Sequence, residues 1–346
     1  MFSQTILDFG RKPNVIRDLS AYAGRRKAEI GAEHVFDFSI GSPNVPPPPQ
    51  VHEAMLDLLT HADPVEIHSY TAAPGLLSLR KTIAQSINRR FGDHVDESGI
   101  YVTAGASGAI AMALKGLTNP GDEVIIFTPH YMEYLIYTKE SLQALTDAMK
   151  AAEKRFGHAI YLLSDEPYRE LSYDGVEVPY LMNDYDDTLV CYSYSKTLSI
   201  PGERMGYLAI CRRCADYADM VDVCAGAARA LGHICASNLY QRVIERCVDV
   251  VADVNFYKEN RDILVKGLED LGYTCIHPDG AFYLFLKSPL PDSMEFCEKA
   301  KAYELMVVPG HDFGVPEYLR VSYCVARETI VNALPAFAKL AKDCGL

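Results

Sequence analysis

The sequence predicts an α/β protein: a large domain built on a mostly parallel sheet flanked by helices, joined to a smaller α+β domain. Three observations carry this. Short apolar runs alternate with amphipathic stretches of helical length. The chain has 346 residues, 49% of them apolar, too many for one small core and about right for a large domain with a satellite. Beyond a long, charged, helix-patterned stretch over 237–271 the pattern changes character, which marks a boundary.

In the large domain, strands are expected at 100–103, 123–127, 159–164, 188–192 and 204–210. Between the second and third lies a helix over 139–156. There Leu142, Leu145, Met149, Ala152 and Phe156 recur at alternating steps of three and four, giving one apolar stripe that ends near Gly157 and covers the sheet. Past the boundary, strands are expected at 273–277, 281–286 and 319–323, with helices at 292–305 and 327–340. The division is thus 42–254 for the large domain, with 1–41 and 255–346 forming the small one. The run from Pro46 to Pro49 reads as a short rigid connection, and no repeat or low-complexity period appears.

A formal charge of −13, without a block of lysines or arginines, leaves no footprint for nucleic acid or an anionic membrane. No run reaches the 18 or so apolar residues of a spanning helix; even the stretch 106–117 is broken by Lys115. The start of the chain lacks a basic segment followed by an apolar one, so export is not expected. The ten cysteines are then expected as free thiols in a reducing compartment, the cytoplasm by default. Cys211 and Cys214 have zinc-like or redox-like spacing but no second such pair, so ordinary thiols beside a strand end are expected and no metal is.

Three pieces fall at predicted strand ends, where open α/β sheets bind ligands. In Thr103-Ala104-Gly105-Ala106-Ser107-Gly108, small residues at a strand-to-helix turn let backbone N–H groups and a helix N-terminus approach an anion, although an empty tight turn would read the same. In Ser164-Asp165-Glu166-Pro167-Tyr168 a carboxylate ends an apolar strand, where burial requires a cationic partner; a cap or a structural ion pair is the plainer reading. In Tyr192-Ser193-Tyr194-Ser195-Lys196 a lysine stands among hydroxyls, and Arg204 follows eight residues later. Lysine is the amine that forms Schiff bases, and Arg204 with Ser193 and Ser195 suits a phosphate.

The runs SYSKTLSIPGERMGY and SDEPYREL resemble the fold type I, class I/II aminotransferases of the aspartate aminotransferase superfamily, and the resemblance extends over nearly the whole chain. It implies pyridoxal 5′-phosphate as cofactor, amino acids and 2-oxo acids as substrates, and transfer of an amino group between them, with aspartate among the candidate donors. By matching positions, Lys196 is the lysine that carries the cofactor and shuttles a proton, Asp165 the partner of the pyridine nitrogen, and Tyr168 the donor to the phenolic oxygen. Ser193, Ser195, Arg204 and the backbone of Gly105, Ala106 and Ser107 are similar to the phosphate cup. Tyr131 matches the ring stacked on the cofactor. Tyr70 matches the tyrosine that reaches the phosphate of the other subunit, which implies a homodimer with shared active sites. Gly41 resembles the glycine beside the substrate carboxylate, and Arg320 the arginine that grips it.

Two departures accompany the resemblance. After Tyr134 the chain passes almost at once into the helix that in the family follows an Asn-Pro-x-Gly loop. A unit of roughly 30 residues or more, with the asparagine that contacts the phenolic oxygen, has no counterpart. Either the unit is deleted or residues are missing from the sequence between Tyr134 and Tyr137; retention of the other motifs favours the second. Ser107 stands where several aspartate-specific bacterial relatives carry lysine, which leaves alanine, aromatic and sulfur amino acids open as donors. A carbon–sulfur lyase of the same fold is the alternative activity. An effector-sensing module is the non-enzymatic one, against which the lack of a helix-turn-helix extension or basic patch argues.

Overall fold

Ten short strands are found among the described residues: β1 (Phe36–Asp37), β2 (Ile100–Thr103), β3 (Leu162–Asp165), β4 (Thr188–Ser193), β5 (Gly206–Ile210), β6 (Cys275–Ile276), β7 (Tyr283–Lys287), β8 (Leu305–Met306), β9 (Val308–Pro309) and β10 (Tyr318–Ser322). The structure is a computed structural model that describes residues 2–11, 14–126 and 139–346. The chain divides into two units, one of Val45–Ile126 with 139–254 and the other of the residues up to Asn44 with Asn255–Leu346.

In the larger unit the strand order is β2-β5-β4-β3. β3 pairs with β4 in parallel, while β5 runs antiparallel to both β4 and β2. Three strands therefore share one direction and one is reversed. The reason lies in the connection from β4 to β5. It holds only the helical turn Tyr194–Thr197 and the 3-10 turn Pro201–Glu203, not the crossover helix that a parallel return uses. The chain folds straight back, and Ser193 pairs with Gly206.

Helices close both faces of this sheet. On one face Ala109, Met112 and Ala113 of helix Ala106–Leu117, with Met220, Cys224 and Ala228 of helix Tyr217–Ala230, pack on Leu189, Cys191, Leu208 and Ile210. On the other, helices Pro49–His61, Leu77–Phe91 and Asn238–Glu245 bury Leu58, Ile83, Ile87, Val243 and Ile244 against Ile100, Val102, Val190 and Ala209. Strands β2, β4 and β5 are buried on both faces, as their continuous apolar runs require.

Three expectations shift. Residues 123–126 form no strand, and Val124, Ile125 and Ile126 are exposed; Phe127 lies outside the described residues. β5 begins at Gly206 because Arg204 adopts a left-handed conformation, φ +53°, inside the preceding turn. The stretch 237–271 is two helices, Asn238–Glu245 and Val254–Glu269. The intervening backbone leaves the helix so that Ala252 N donates to Thr197 O at 2.7 Å, bracing the turn that carries Lys196.

The smaller unit holds an antiparallel sheet in the order β6-β7-β10-β9 and a parallel pair β1-β8. Its core gathers Phe38, Tyr273, Phe296 and Phe337. Helix Ser293–Lys301 is capped by the Asp292 side chain, which accepts from Met294 N at 2.8 Å. Buried Asn260 donates to Tyr323 O and Val325 O at 3.0 and 2.8 Å, fixing the exit of β10.

Candidate active site

The three strands of common direction end at Thr103, Asp165 and Ser193, and all three motifs singled out in the sequence follow those ends. The reversed strand begins beside them, since Thr103 and Ser193 both pair with Gly206. Gly105, Asp165, Lys196 and Arg204 are thereby gathered at one edge of one sheet.

An anion cradle is built there. Gly105 has φ +77° and ψ 178° and caps helix Ala106–Leu117, whose first N–H groups are unpaired within the helix and carry about half a positive charge. A Cβ on Gly105 would lie 2.8 Å from Nη2 of Arg204 and 3.5 Å from Oγ of Ser193. The guanidinium therefore crosses directly over the turn. Arg204 Nη1 donates to Ser195 Oγ at 3.3 Å and Pro201 O at 3.0 Å, and Nη2 donates to Ala104 O at 3.2 Å. Ser193 Oγ donates to Ser195 Oγ at 2.9 Å and accepts from Ser195 N at 3.2 Å. Both serines are buried, while Arg204 and Ser107 are exposed and Ala106 is buried. An arginine fork, two hydroxyls and a helix N-terminus converge on a spot that only glycine leaves open; this donor set fits a phosphate.

Lys196 sits on the turn just beyond, half-buried, with Nζ 5.9 Å from the centroid of the Tyr168 ring. The turn is held from behind by Tyr192, whose hydroxyl bonds Thr197 Oγ1 at 2.7 Å. Tyr168 is buried at the next strand end. Asp165 is exposed at the sheet's edge, not buried as its place at the end of an apolar strand predicts. The carboxylate that is buried and met by a cation is Glu166, paired with Arg169, each about 5% exposed. Sequence reasoning passed over both residues; the signal was the i, i+3 spacing of opposite charges in an otherwise apolar turn.

Tyr70 is 85% exposed. Its loop is nonetheless firmly held: buried Asn238 donates to Glu66 O and Ser69 O at 2.8 and 2.9 Å, and buried Gln241 donates to Thr71 Oγ1 and accepts from Leu76 N. Tyr131 and the junction from Tyr134 to Tyr137 lie outside the described residues.

In the smaller unit, Arg320 on β10 is 4% exposed. Its guanidinium carbon is 4.7 Å from the Tyr283 ring centroid and 5.2 Å from that of Phe313. Nη2 donates to Ser39 O, and Nε is buried without a hydrogen-bond partner. No carboxylate among the described residues pairs with this guanidinium. Gly41 lies in the same unit, and a Cβ there would fall inside the Tyr283 hydroxyl. A buried, aromatic-flanked guanidinium with an open Nε has the chemistry to receive a carboxylate.

The Cys211 and Cys214 thiols are both buried, and burial raises the pKa of each. The arginines between them point elsewhere: Arg212 pairs with Asp93, and Arg213 pairs with Asp186 at 2.6 Å and donates to Met182 O. Burial favours the protonated, less reactive form of both thiols, and no cluster of three or more metal-ligating side chains exists among the described residues. No helix among them is long and apolar enough to cross a membrane.

A lysine on a strand-end turn beside an anion cradle suits a phosphorylated aldehyde cofactor. The family model for class I and II aminotransferases matches residues 33–141 and 135–337, and the chain belongs to this pyridoxal-phosphate-dependent family. Among its relatives, the aspartate aminotransferase of Thermotoga maritima is 25% identical over 87% of this chain and 90% of the relative. That alignment spans 359 residues, more than this whole chain, so the relative carries segments with no counterpart here. A putative aminotransferase of Bacillus subtilis is 28% identical over 87% of this chain and 90% of its own length. The crystal structure of an aminotransferase from Eubacterium rectale superposes with a TM-score of 0.95 at 36% identity, covering the whole of both chains. The aspartate aminotransferase of Thermus thermophilus with maleate gives 0.82 at 22% over 98% of this chain and 100% of its own, a likeness of fold. The family match falls in two pieces that meet at 135–141, beside the unit found wanting in the sequence.

Proposed function

We propose that this aminotransferase acts on L-amino acids through the residues named in each unit, with Arg320 receiving the donor's α-carboxylate and aspartate the first donor to test. The observation that carries the reading is Arg320 itself, a desolvated cation with an unpaired Nε and no carboxylate among the described residues. Gly41, in the same unit, lets the Tyr283 hydroxyl occupy the place that a side chain would take.

The residues present fit the cofactor. Gly105, Ala106, Ser107, Ser193, Ser195 and Arg204 would hold its phosphate, Lys196 its aldehyde carbon, Asp165 its ring nitrogen and Tyr168 its phenolic oxygen. When bound, the cofactor supplies an electron sink for the substrate's α-carbon. The chain does the rest. Lys196 Nζ would take the proton from the substrate's α-carbon and deliver it to the carbon across the nitrogen that the group and substrate share. Asp165 would keep the ring nitrogen protonated, and Arg320 would orient the α-carbon.

A homodimer is proposed from Tyr70. A tyrosine held 85% exposed by two buried amides is presented to something outside its own subunit, here the phosphate of a second copy. All ten cysteines are free thiols, which supports a reducing compartment such as the cytoplasm.

The test is borohydride reduction of the yellow holoenzyme followed by peptide mapping, together with a donor screen using 2-oxoglutarate as acceptor. The phosphopyridoxyl group is expected on Lys196, with aspartate converted to its 2-oxo acid. A label on another lysine overturns the site assignment, and a screen in which aspartate is inert overturns the donor.

A further inference from the structure

Asp165 closes β3 opposite Cys191 and the residues after it leave the sheet, so the strand pairing fixes the backbone of Asp165 but not the rotamer of its side chain, and fixes nothing of Tyr168. What surrounds them is a buried polar block. Glu166 Oε1 accepts from Ser164 Oγ at 2.8 Å, and Oε2 accepts from Arg169 Nε. Arg169 sends Nη1 to Val178 O at 2.9 Å and Nη2 to Pro179 O at 2.7 Å. Its guanidinium carbon lies 5.1 and 5.0 Å from the ring centroids of Phe91 and Tyr180, which stack on each other at 4.3 Å. The backbone closes the turn, Glu166 N donating to Cys191 O and Leu171 N to Tyr168 O, both at 2.8 Å.

We propose that Glu166 and Arg169 are positioning residues that set the directions of Asp165 and Tyr168 toward the cofactor ring. The inference rests on the assignment of those two residues given above. Desolvating two full charges is a poor route to stability, because apolar side chains of similar size pack as well or better. Where a buried pair excels is orientation: every edge of this guanidinium is engaged, so the turn has one arrangement rather than several. The pair brackets Tyr168 in sequence and follows Asp165 directly, and both of its members are too buried to meet a ligand themselves.

The test uses the double variant Glu166→Gln/Arg169→Met, which removes both charges together, and the single variant Arg169→Lys, which keeps the charge but loses the planar fork. Both are loaded with pyridoxal 5′-phosphate and compared with the parent in the pH midpoint of the bound cofactor's visible absorbance, in cofactor affinity and in kinetics. The double variant is expected to bind the cofactor, to shift that midpoint by about one pH unit and to lose about a hundredfold in kcat, with KM for the amino acid changing far less. Arg169→Lys should lie between it and the parent, and carries the same readouts should the double variant fail to fold. Variants that melt earlier yet keep the parent's midpoint and kcat overturn the proposal. A parent protein with no visible absorbance overturns the cofactor site instead, and leaves the two failures distinguishable.

Discussion

Replacing Gly105 with alanine tests the anion cradle, because the structure separates two costs that different assays read. The first is in the backbone. At φ +77° and ψ 178° Gly105 occupies a region that residues with a Cβ adopt at a cost of about 1–3 kcal/mol, and this cost is present without any ligand. The second is in the cradle. The new Cβ would stand 2.8 Å from Arg204 Nη2, and since the guanidinium is the far end of a flexible side chain, it is the part that moves. A charge-assisted hydrogen bond to phosphate is worth about 1.5–3 kcal/mol, so its displacement should weaken phosphate binding about ten- to hundredfold. Urea unfolding of the apoprotein reads the first cost, and titration with pyridoxal 5′-phosphate reads the second, because free and bound protein carry the backbone cost alike. Titration with pyridoxal, which lacks the phosphate, isolates the cradle and should change little between parent and variant. Gly202→Ala is the control, since nothing lies within 4 Å of its Cβ and its φ is not positive. If Gly105→Ala weakens pyridoxal as much as its phosphate ester, the cradle is not a phosphate site. If it changes neither stability nor affinity, the turn is not as described.

Arg320→Ala should raise KM for amino acids and lower kcat/KM by about ten- to hundredfold, with cofactor affinity little altered; steady-state kinetics with unchanged KM would remove Arg320 from the substrate site. Alkaline stability gives an independent check. Burial pushes the Cys224 thiol up to about 11. Between its ordinary value of 9.0 and that value the folded chain keeps a proton that the unfolded chain has released, so stability falls as pH rises through this window, by about 3 kcal/mol for this group. Cys224→Ala should flatten the decline of urea midpoints measured from pH 8 to 11, and an unchanged slope would contradict the burial. Cys211 and Cys214 should resist thiol reagents in the native protein at pH 8, which a colorimetric thiol count on a Cys211→Ala/Cys214→Ala variant checks by remaining equal to the parent's.

Much of this was legible in the sequence because the relevant signals are local. The stripe from Leu142 to Phe156 specifies a helix by itself, and Lys139–Phe156 is one. The motif runs sit at strand ends because an apolar run followed by Gly, Asp or Ser-Lys is how a strand stops. What was not legible depends on partners distant in sequence. Residues 123–126 carry strand-forming side chains, but a strand exists only where another accepts its hydrogen bonds, and none is formed there. The stretch 237–271 has helical spacing throughout, yet it breaks where Ala252 is drawn to Thr197, a contact no local pattern encodes. Asp165 was read as the buried carboxylate because it ends the strand. One residue further on, the backbone of Glu166 is tied to Cys191, its side chain turns inward, and the cation it needs lies in the turn at Arg169.

The reversal of β5 is what makes the site possible. In a sheet whose strands all ran one way, the residues leading into a strand would lie at the edge opposite those leaving it. Arg204, two residues before β5, would then be a strand's length from Lys196. Because β5 runs back between β2 and β4, its first residue, Gly206, pairs with both Thr103 and Ser193, and Arg204 is delivered to the edge where those strands end. The closeness this demands is visible at Gly206, where a Cβ would strike Tyr192 O and stand 2.8 Å from the Cα of Gly105. The backbones of the two strand-end turns thus touch through two glycines, and the anion cradle is formed by that contact together with the arginine that arrives through it.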